Sequence, residues 1–267
     1  AREAAKAGVE VEPITRHDLA RLAEFDGLFI RETTSIRNHT FRFARRAEAE
    51  GMPVIDDPRS IIRCTDKIFL SELLTRAGVP VPETMLVRAA TDPAEIADRL
   101  GLPAVLKVPD GSFSRGVGKA GTLAELAALR DAFLAEGDLA LAQRYVPTAY
   151  DWRIGVLGRE TLFAVQYRMA RGHWQIVKHR EGKRALEGGF AAVPLCEAPR
   201  EVVEIGLRAA NLIGDGFYGV DIKETPEGPV VIEINDNPNL DHGVEDRAER
   251  GAVWERLTGW FLVRMTA

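Results

Sequence analysis

The segment "VVIEIN", residues 230–235, is apolar enough to form a buried strand, yet it carries Glu233 and Asn235. Side chains alternate along a strand, so residues two apart share a face. The strand "FYGVDIK", residues 217–223, precedes it, and the Pro and Gly of "ETPEGP" favour a hairpin turn between the two. Pairing Glu224 with Val230 sets Asp221 directly opposite Glu233, on the same face, with Asn235 one step beyond. Two carboxylates about 5 Å apart repel by roughly 3 kcal/mol at an effective dielectric of about 20. That exceeds the whole strand-propensity scale of about 1 kcal/mol, so the pattern demands compensation. A proton on one carboxyl would supply it, as would Lys223 and other basic groups. So would a hard divalent cation, since Mg²⁺ prefers oxygen ligands, commonly a few carboxylates with phosphate oxygens and water. Asn235 then adds a neutral oxygen where a third carboxylate would overcharge the site, and Pro238 turns the chain away. On this reasoning the metal-free protein gains stability from Glu233→Gln, because the repulsion with Asp221 disappears.

Magnesium bound this way implies phosphate. Lys107 lies in "AVLKV" with apolar neighbours on both sides, which leads its ammonium from a buried strand towards a cleft rather than to a solvated edge. The Gly- and Ser-rich "GSFSRGVGKAGT" begins four residues later, and its exposed N–H groups could approach phosphate oxygens. As a motif it matches neither the Walker pattern nor the dinucleotide fingerprint, and such turns are common.

Around these elements the chain reads as mixed α/β. Residues 1–62 alternate helix and strand signals: an opening helix ending at Gly8, "VEVEPI", a helix near "HDLARLA", "DGLFIR", a helix about "NHTFRFARRAEAEG", then "MPVID". That order suggests a small parallel α/β unit, and its opening on a helix suggests a truncated or cleaved chain that has lost a first strand. Thr65 is positioned to cap a helix running to Gly78, which "VPVP" ends. A second unit follows with "ETMLV", "DPAEIADRLG", "PAVLKVPD", the Gly-rich loop, the helix "LAELAALRDAFLA" and the strand "LALAQRYV". From residue 151 short strands dominate ("DWRIGVLG", "TLFAVQYRMA", "HWQIV"), then a helix, the carboxylate hairpin and a last helix whose Trp254, Leu257, Trp260 and Phe261 read as core contacts. With 46% hydrophobic and 28% charged residues over 267 positions, this is an ordinary globular composition. The net charge of −5 gives no global reason to expect nucleic acid or an anionic membrane as partner, and no apolar run approaches the roughly 18 residues of a membrane span. Cys64 and Cys196 match no metal spacing and read as free thiols in a reducing cytoplasm.

Taken as an ordered set, Lys67 in "CTDKIFLSELL", Lys107 in "VLKVPDGSFSRGVG", "AQRYVP", "DWRIGVLG", "GVDIK" and "VVIEINDNPNLDHG" resemble the ATP-grasp superfamily, and within it the RimK-type carboxylate-amine ligases. The resemblance implies an ATP-grasp fold of two α+β subdomains clasping ATP, 63–142 and 143–267, after a partial Rossmann-like pre-ATP-grasp domain over 1–62. It implies that Lys67 and Lys107 touch ATP phosphates under a loop, 111–118, that includes Gly111, Ser112, Gly116 and Gly118. Gln143, Arg144, Tyr145 and Val146 match a hinge whose backbone holds the adenine edge, and Asp151 falls where an acidic residue sits near the nucleotide. Arg153 matches an arginine that faces the reacting phosphoryl group, which implies that it acts with Lys107 in catalysis, while Asp221, Glu233 and Asn235 fall on Mg²⁺ ligands for one or two ions, with Mn²⁺ as a substitute. Arg144 stands where the family usually has an acidic residue, and "VKHREGKRALEGG" replaces a short Arg-Ser-Asn element of RimK itself, so glutamate addition does not carry over.

The implied activity is ATP-dependent ligation of a small-molecule or peptide carboxylate to an amine through an acyl phosphate, in the cytoplasm, with no nucleic acid or membrane partner and with homo-oligomerisation left open. A small-molecule kinase and a regulatory ATP-binding module are the alternatives. Arg168, Arg171, Lys178, Arg180, Lys183 and Arg184 gather with a single acid, Glu181. If that run faces the cleft rather than solvent, the acid substrate is anionic beyond its reacting group, with Lys178, Arg180 and Arg184 as contacts; otherwise selection falls to the N-terminal unit around Arg31.

Overall fold

A computed structural model describes residues 1–110, 116–180 and 183–266, with side chains left undescribed at 178–180 and 183–187. The expected roles of Gly111 and Ser112, and of the Lys178, Arg180 and Arg184 side chains, lie outside the described residues. After the short helix α1 (Arg2–Lys6), residues 9–14 form no strand. The Val-Glu alternation there has no neighbouring strand to pair with, and Val11 is exposed. The segment "HDLARLA" becomes a 3-10 turn, Leu19–Glu24. Strand β1 (Leu28–Phe29), helix α2 (His39–Ala49) and strand β2 (Val54–Ile55) follow, and the two strands pair in parallel over a core of Leu22, Phe43, Ala44 and Ile61.

Two consecutive aspartate caps then set the path into the site. Asp57 caps α3 (Pro58–Thr65) by accepting the Arg59 and Ser60 N–H groups, both at 3.0 Å. Thr65 is therefore the last residue of α3 and not the cap of the next helix. Asp66, with extended backbone between the helices, caps α4 (Lys67–Arg76) by accepting from Ile68 at 2.9 Å and Phe69 at 3.0 Å. Lys67 is thereby fixed in the first turn of α4, only 8% exposed.

Strand β3 (Thr84–Val87), helix α5 (Pro93–Leu100), strands β4 (Ala104–Lys107) and β5 (Val117–Ala120), helix α6 (Leu123–Glu136) and strand β6 (Ala140–Arg144) build a four-stranded sheet of order β3-β6-β4-β5. Here the expected Gly-rich loop is shorter than its composition suggests, because residues 117–120 are β5, paired antiparallel with β4. Gly118 is glycine for packing: a Cβ there would lie 2.6 Å from Leu129. Gly116, at φ +69°, makes the turn into β5.

The second sheet takes β7 (Tyr150–Leu157), β8 (Glu160–Arg168), β11 (Phe190–Val193), β12 (Phe217–Thr225) and β13 (Gly228–Asn235) in the order β11-β8-β7-β12-β13. The strands β9 (Val177–Arg180) and β10 (Lys183–Glu187) form a separate two-stranded hairpin, so "HWQIV" contributes only its last residue to a strand. Helix α7 (Arg200–Ala210) covers one sheet face, and α8 (Gly251–Met265) buries Leu257, Trp260 and Phe261 with Trp254 packed at the edge, as expected. Among the described residues no helix is long and apolar enough to cross a membrane.

The carboxylate hairpin arrives at its expected centre by another route. Glu224 pairs with Pro229, one residue tighter than expected, and a bulge at Ile232 restores the register so that Asp221 faces Glu233 and Gly219 faces Asn235.

Candidate active site

On β7, Arg153 is the cross-strand partner of Asp221, which in turn faces Glu233 on β13. The three side chains form a row across adjacent strands. Arg153 grips Asp221 with two hydrogen bonds, Nε to Oδ1 at 2.7 Å and Nη2 to Oδ2 at 2.9 Å. Lys67 lies 3.4 Å from Glu233. The expected carboxylate repulsion is thus met within the chain by two cations. Lys223, one expected neutraliser of the pair, instead binds Asp151 and Thr148. Burial pushes Asp151 above its ordinary pKa, with Lys223 opposing.

The charges interact strongly because they are removed from water. Burial lowers Lys107 to about 8, against the attraction of Glu233 and with further lowering from Lys67. For Glu233 burial raises the pKa, but Lys67 and Lys107, with Arg153 behind them, outweigh it and hold the carboxyl below its ordinary value. Asn235 sits beside the pair, its Nδ2 donating to Asp221 at 3.3 Å and to the Gly219 carbonyl at 3.4 Å. Two carboxylates and one amide oxygen are a donor set that fits a small, oxygen-seeking divalent cation completing its shell from phosphate and water. Among the described residues no cluster of three or more His, Cys, Asp or Glu is arranged to hold a metal, so the amide and outside oxygens are needed.

Lys67, Lys107, Asp151, Asp221 and Glu233 line one cavity of about 130 Å³. Gln143, Arg144, Tyr145 and Val146 also line it. The Arg144 side chain reaches Glu83 at 2.7 Å and the Arg99 carbonyl at 3.3 Å through its Nη2. Arg153, Gly116, Gly118 and Asn235 are not among the lining residues, and Arg31 stands elsewhere, its Nη1 donating to Asn237 at 2.6 Å. A larger groove of about 520 Å³ on the outer faces of α2 to α4 contains none of the expected catalytic groups.

Trp174, Gln175 and Ile176 also line the cavity and were not expected there. Trp174 meets Tyr145 edge-on at 6.0 Å between ring centroids. The Lys119 ammonium on β5 lies 4.6 Å from the Tyr145 centroid and 5.5 Å from that of Trp174, so it ties the segment that carries Trp174 to the first sheet. The signal for Trp174 was present in "HWQIV", where alternation suggested a strand instead of a wall.

The fold is shared with solved ATP-grasp ligases. D-alanine–D-alanine ligase from Bacillus anthracis superposes with a TM-score of 0.75 at 18% identity, over 98% of this chain and 88% of that one. A RimK domain ATP-grasp protein from Sphaerobacter thermophilus gives 0.71 at 21%, over 97% and 92%. Residues 64–247 match the RimK-like ATP-grasp domain. A probable alpha-L-glutamate ligase of Citrobacter koseri is 31% identical over 84% of this chain and 73% of its own length. The alpha-aminoadipate–LysW ligase LysX of Saccharolobus solfataricus is 33% identical over 81% and 77%. The family match and these named ligases make this an ATP-grasp carboxylate-amine ligase. The chain belongs to the RimK-like ATP-grasp family.

Proposed function

We propose that the chain activates a substrate carboxylate with ATP and joins it to an amine. A carboxylate oxygen attacks the γ-phosphorus, the bond to the β-bridging oxygen breaks, and ADP leaves. The amine nitrogen then attacks the acyl carbon, inorganic phosphate departs with the C–O bonding electrons, and the nitrogen gives up a proton. The observation that carries this reading is that Lys67, Lys107, Asp221 and Glu233 line one cavity, with Arg153 paired to Asp221 on the adjacent strand. The lysines and Arg153 would oppose charge on the phosphates, and Asp221, Glu233 and Asn235 would hold Mg²⁺, one ion or two, with Mn²⁺ as a substitute. When bound, the cation supplies charge neutralisation of phosphate oxygens. Residues 1–62 would act as the pre-ATP-grasp unit, 63–142 as the small and 143–267 as the large ATP-grasp subdomain, in a cytoplasmic protein whose Cys64 and Cys196 are unpaired.

The anionic character of the acid is read from the basic run at 168–184, and the relatives named for glutamate and aminoadipate show that such ligases accept anionic substrates. We assign its extra charge to Lys178, Arg180 and Arg184 of the β9–β10 hairpin, with Arg31 as the alternative contact. The test is ADP release across amino acids, small peptides and polyamines, with mass analysis of the condensed product. Release that requires both an acid and an amine supports the ligase; release with a single hydroxyl substrate indicates a kinase and overturns it.

The aromatic wall gives a binding prediction. Base–aromatic stacking contributes about 1–3 kcal/mol, so Trp174→Ala is expected to raise the Kd for ATP about tenfold, and ATP should quench tryptophan fluorescence in wild-type protein but much less in Trp174→Phe. Equal quenching in both proteins would remove Trp174 from the nucleotide site.

A further inference from the structure

Arg153 is braced on the side away from Asp221. Asp151 pairs with Tyr167 and Arg153 with Val165, which makes Tyr167 the diagonal neighbour of Arg153 on the same face of the sheet. The guanidinium carbon lies 5.2 Å from the Tyr167 ring centroid, inside the cation–π range of about 6 Å. The Tyr167 hydroxyl donates to Oε1 of Glu245, and Oε2 of Glu245 accepts the Asp241 N–H at 2.6 Å. Glu245 is 1% exposed, so its two oxygens are committed to these two donors. Burial, with Glu245 adding to it against the opposing charge of Arg153, pushes the Tyr167 phenol far up, and its hydroxyl remains a donor at neutral pH. Glu245 belongs to the segment that leaves β13 directly after Asn235 and also receives Arg31 through Asn237.

We propose that Tyr167 and Glu245 are positioning residues for Arg153 in the phosphoryl-transfer step, an assignment that rests on the ligase reading above. Asp221 takes Nε and Nη2, which leaves Nη1 directed away from that carboxylate. Side-on pairing with Asp221 fixes the guanidinium in its plane but leaves rotation about that contact, and the Tyr167 face blocks it. Any cation that engages Asp221 competes with Arg153 for the same two oxygens. The ring is then the contact that keeps the guanidinium over the site, and the Glu245 tie fixes the ring.

Two variants separate these contributions. Tyr167→Phe keeps the face and removes the tie; Tyr167→Leu removes both. A displaced catalytic group can cost about 100-fold in rate, so kcat is expected to fall about tenfold in Tyr167→Phe and about 100-fold in Tyr167→Leu, with the KM for ATP within about threefold of wild type. In an Arg153→Lys background the Tyr167→Leu loss should shrink to about threefold or less, because the group being positioned has gone. A loss of the same size in both backgrounds assigns Tyr167 a purely structural role and overturns the proposal. A readout independent of turnover is the Arg153 Nε–H resonance, identified by its disappearance in Arg153→Lys. It should be sharp in the nucleotide-free wild type and broadened in Tyr167→Leu while the backbone spectrum stays folded. An unchanged resonance in Tyr167→Leu also overturns the proposal, whereas failure of the substrate panel would leave this signal intact and count against the ligase reading alone.

Discussion

Glu233→Gln is expected to cut ATP turnover at least about 100-fold, a loss of roughly 3 kcal/mol in transition-state stabilisation, while the protein still folds. The substitution keeps the side-chain volume and removes one negative charge from the oxygen donor set, so the proposed Mg²⁺ site loses both charge and geometry. Wild-type turnover in this variant would sink the metal assignment. The structure also reverses the stability expectation drawn from carboxylate repulsion. Asp221 is held by Arg153, and Glu233 is the counter-charge for Lys67 and lies in the field of Lys107. Removing it takes a counter-charge from Lys67 and Lys107, a cost reduced because the Glu233 side chain is 32% exposed. A fall of about 1–2 kcal/mol follows, read as a lower Tm in chelator-treated protein. The sign with pH follows from the depressed carboxyl. Its stabilisation is present above the ordinary value of 4.5 and is lost as pH falls through the lower folded value, so the gap between wild type and variant should close in acid. A higher Tm in the variant at neutral pH would restore the repulsion argument.

Where a residue's role followed from its own strand, it was legible in the sequence. Alternation placed Asp221 and Glu233 on one face, and apolar neighbours placed Lys107 in a buried strand. Even there the agreement concealed two opposite errors, since the hairpin is one residue tighter than its Pro and Gly suggested and the bulge at Ile232 moves the register back. Alternation failed where a strand needs a neighbour that local sequence does not reveal: "VEVEPI" has none, and most of "HWQIV" becomes a cavity wall. Gly118 was placed in the phosphate-covering loop by the resemblance, whereas its position on β5 and its lack of a side chain serve the approach of Leu129. The pairing partners were the least visible element. Lys223 is closer in sequence to the carboxylates than Lys67 or Arg153 is, yet strand order brings Arg153 beside Asp221, and the Asp66 cap aims Lys67 at Glu233. Tertiary neighbours decided which cation met which anion.

Lys107 should make ATP affinity depend on pH in a way that its replacement abolishes. Burial holds its folded pKa at about 8 against an ordinary 10.5. In the nucleotide-free protein that depression means a charged Lys107 costs about 3 kcal/mol at pH 7. The cost is present in full below about 8 and disappears as pH rises towards 10.5, so stability should rise across that interval, where the unfolded chain binds the extra proton. Triphosphate entering the cavity favours the ammonium and raises its pKa again. Above about pH 8, ATP binding must therefore take up a proton, and Kd should increase by up to about tenfold per pH unit until the pKa of the complex is reached. Titration calorimetry from pH 7 to 9.5 in two buffers of different ionisation enthalpy measures both the slope and the proton uptake. Lys107→Met, which fills the same apolar space without the charge, is expected to bind ATP at least about tenfold more weakly at pH 7, to lose the proton uptake, and to melt a few degrees higher, at about 2–4 °C per kcal/mol. Weaker binding together with higher stability separates a functional buried charge from a structural one. If Lys107→Met binds ATP as tightly as wild type, or if the wild-type affinity is flat from pH 7 to 9.5, Lys107 does not reach the phosphates and their charge must be met by the other cations, Lys67 and Arg153 first.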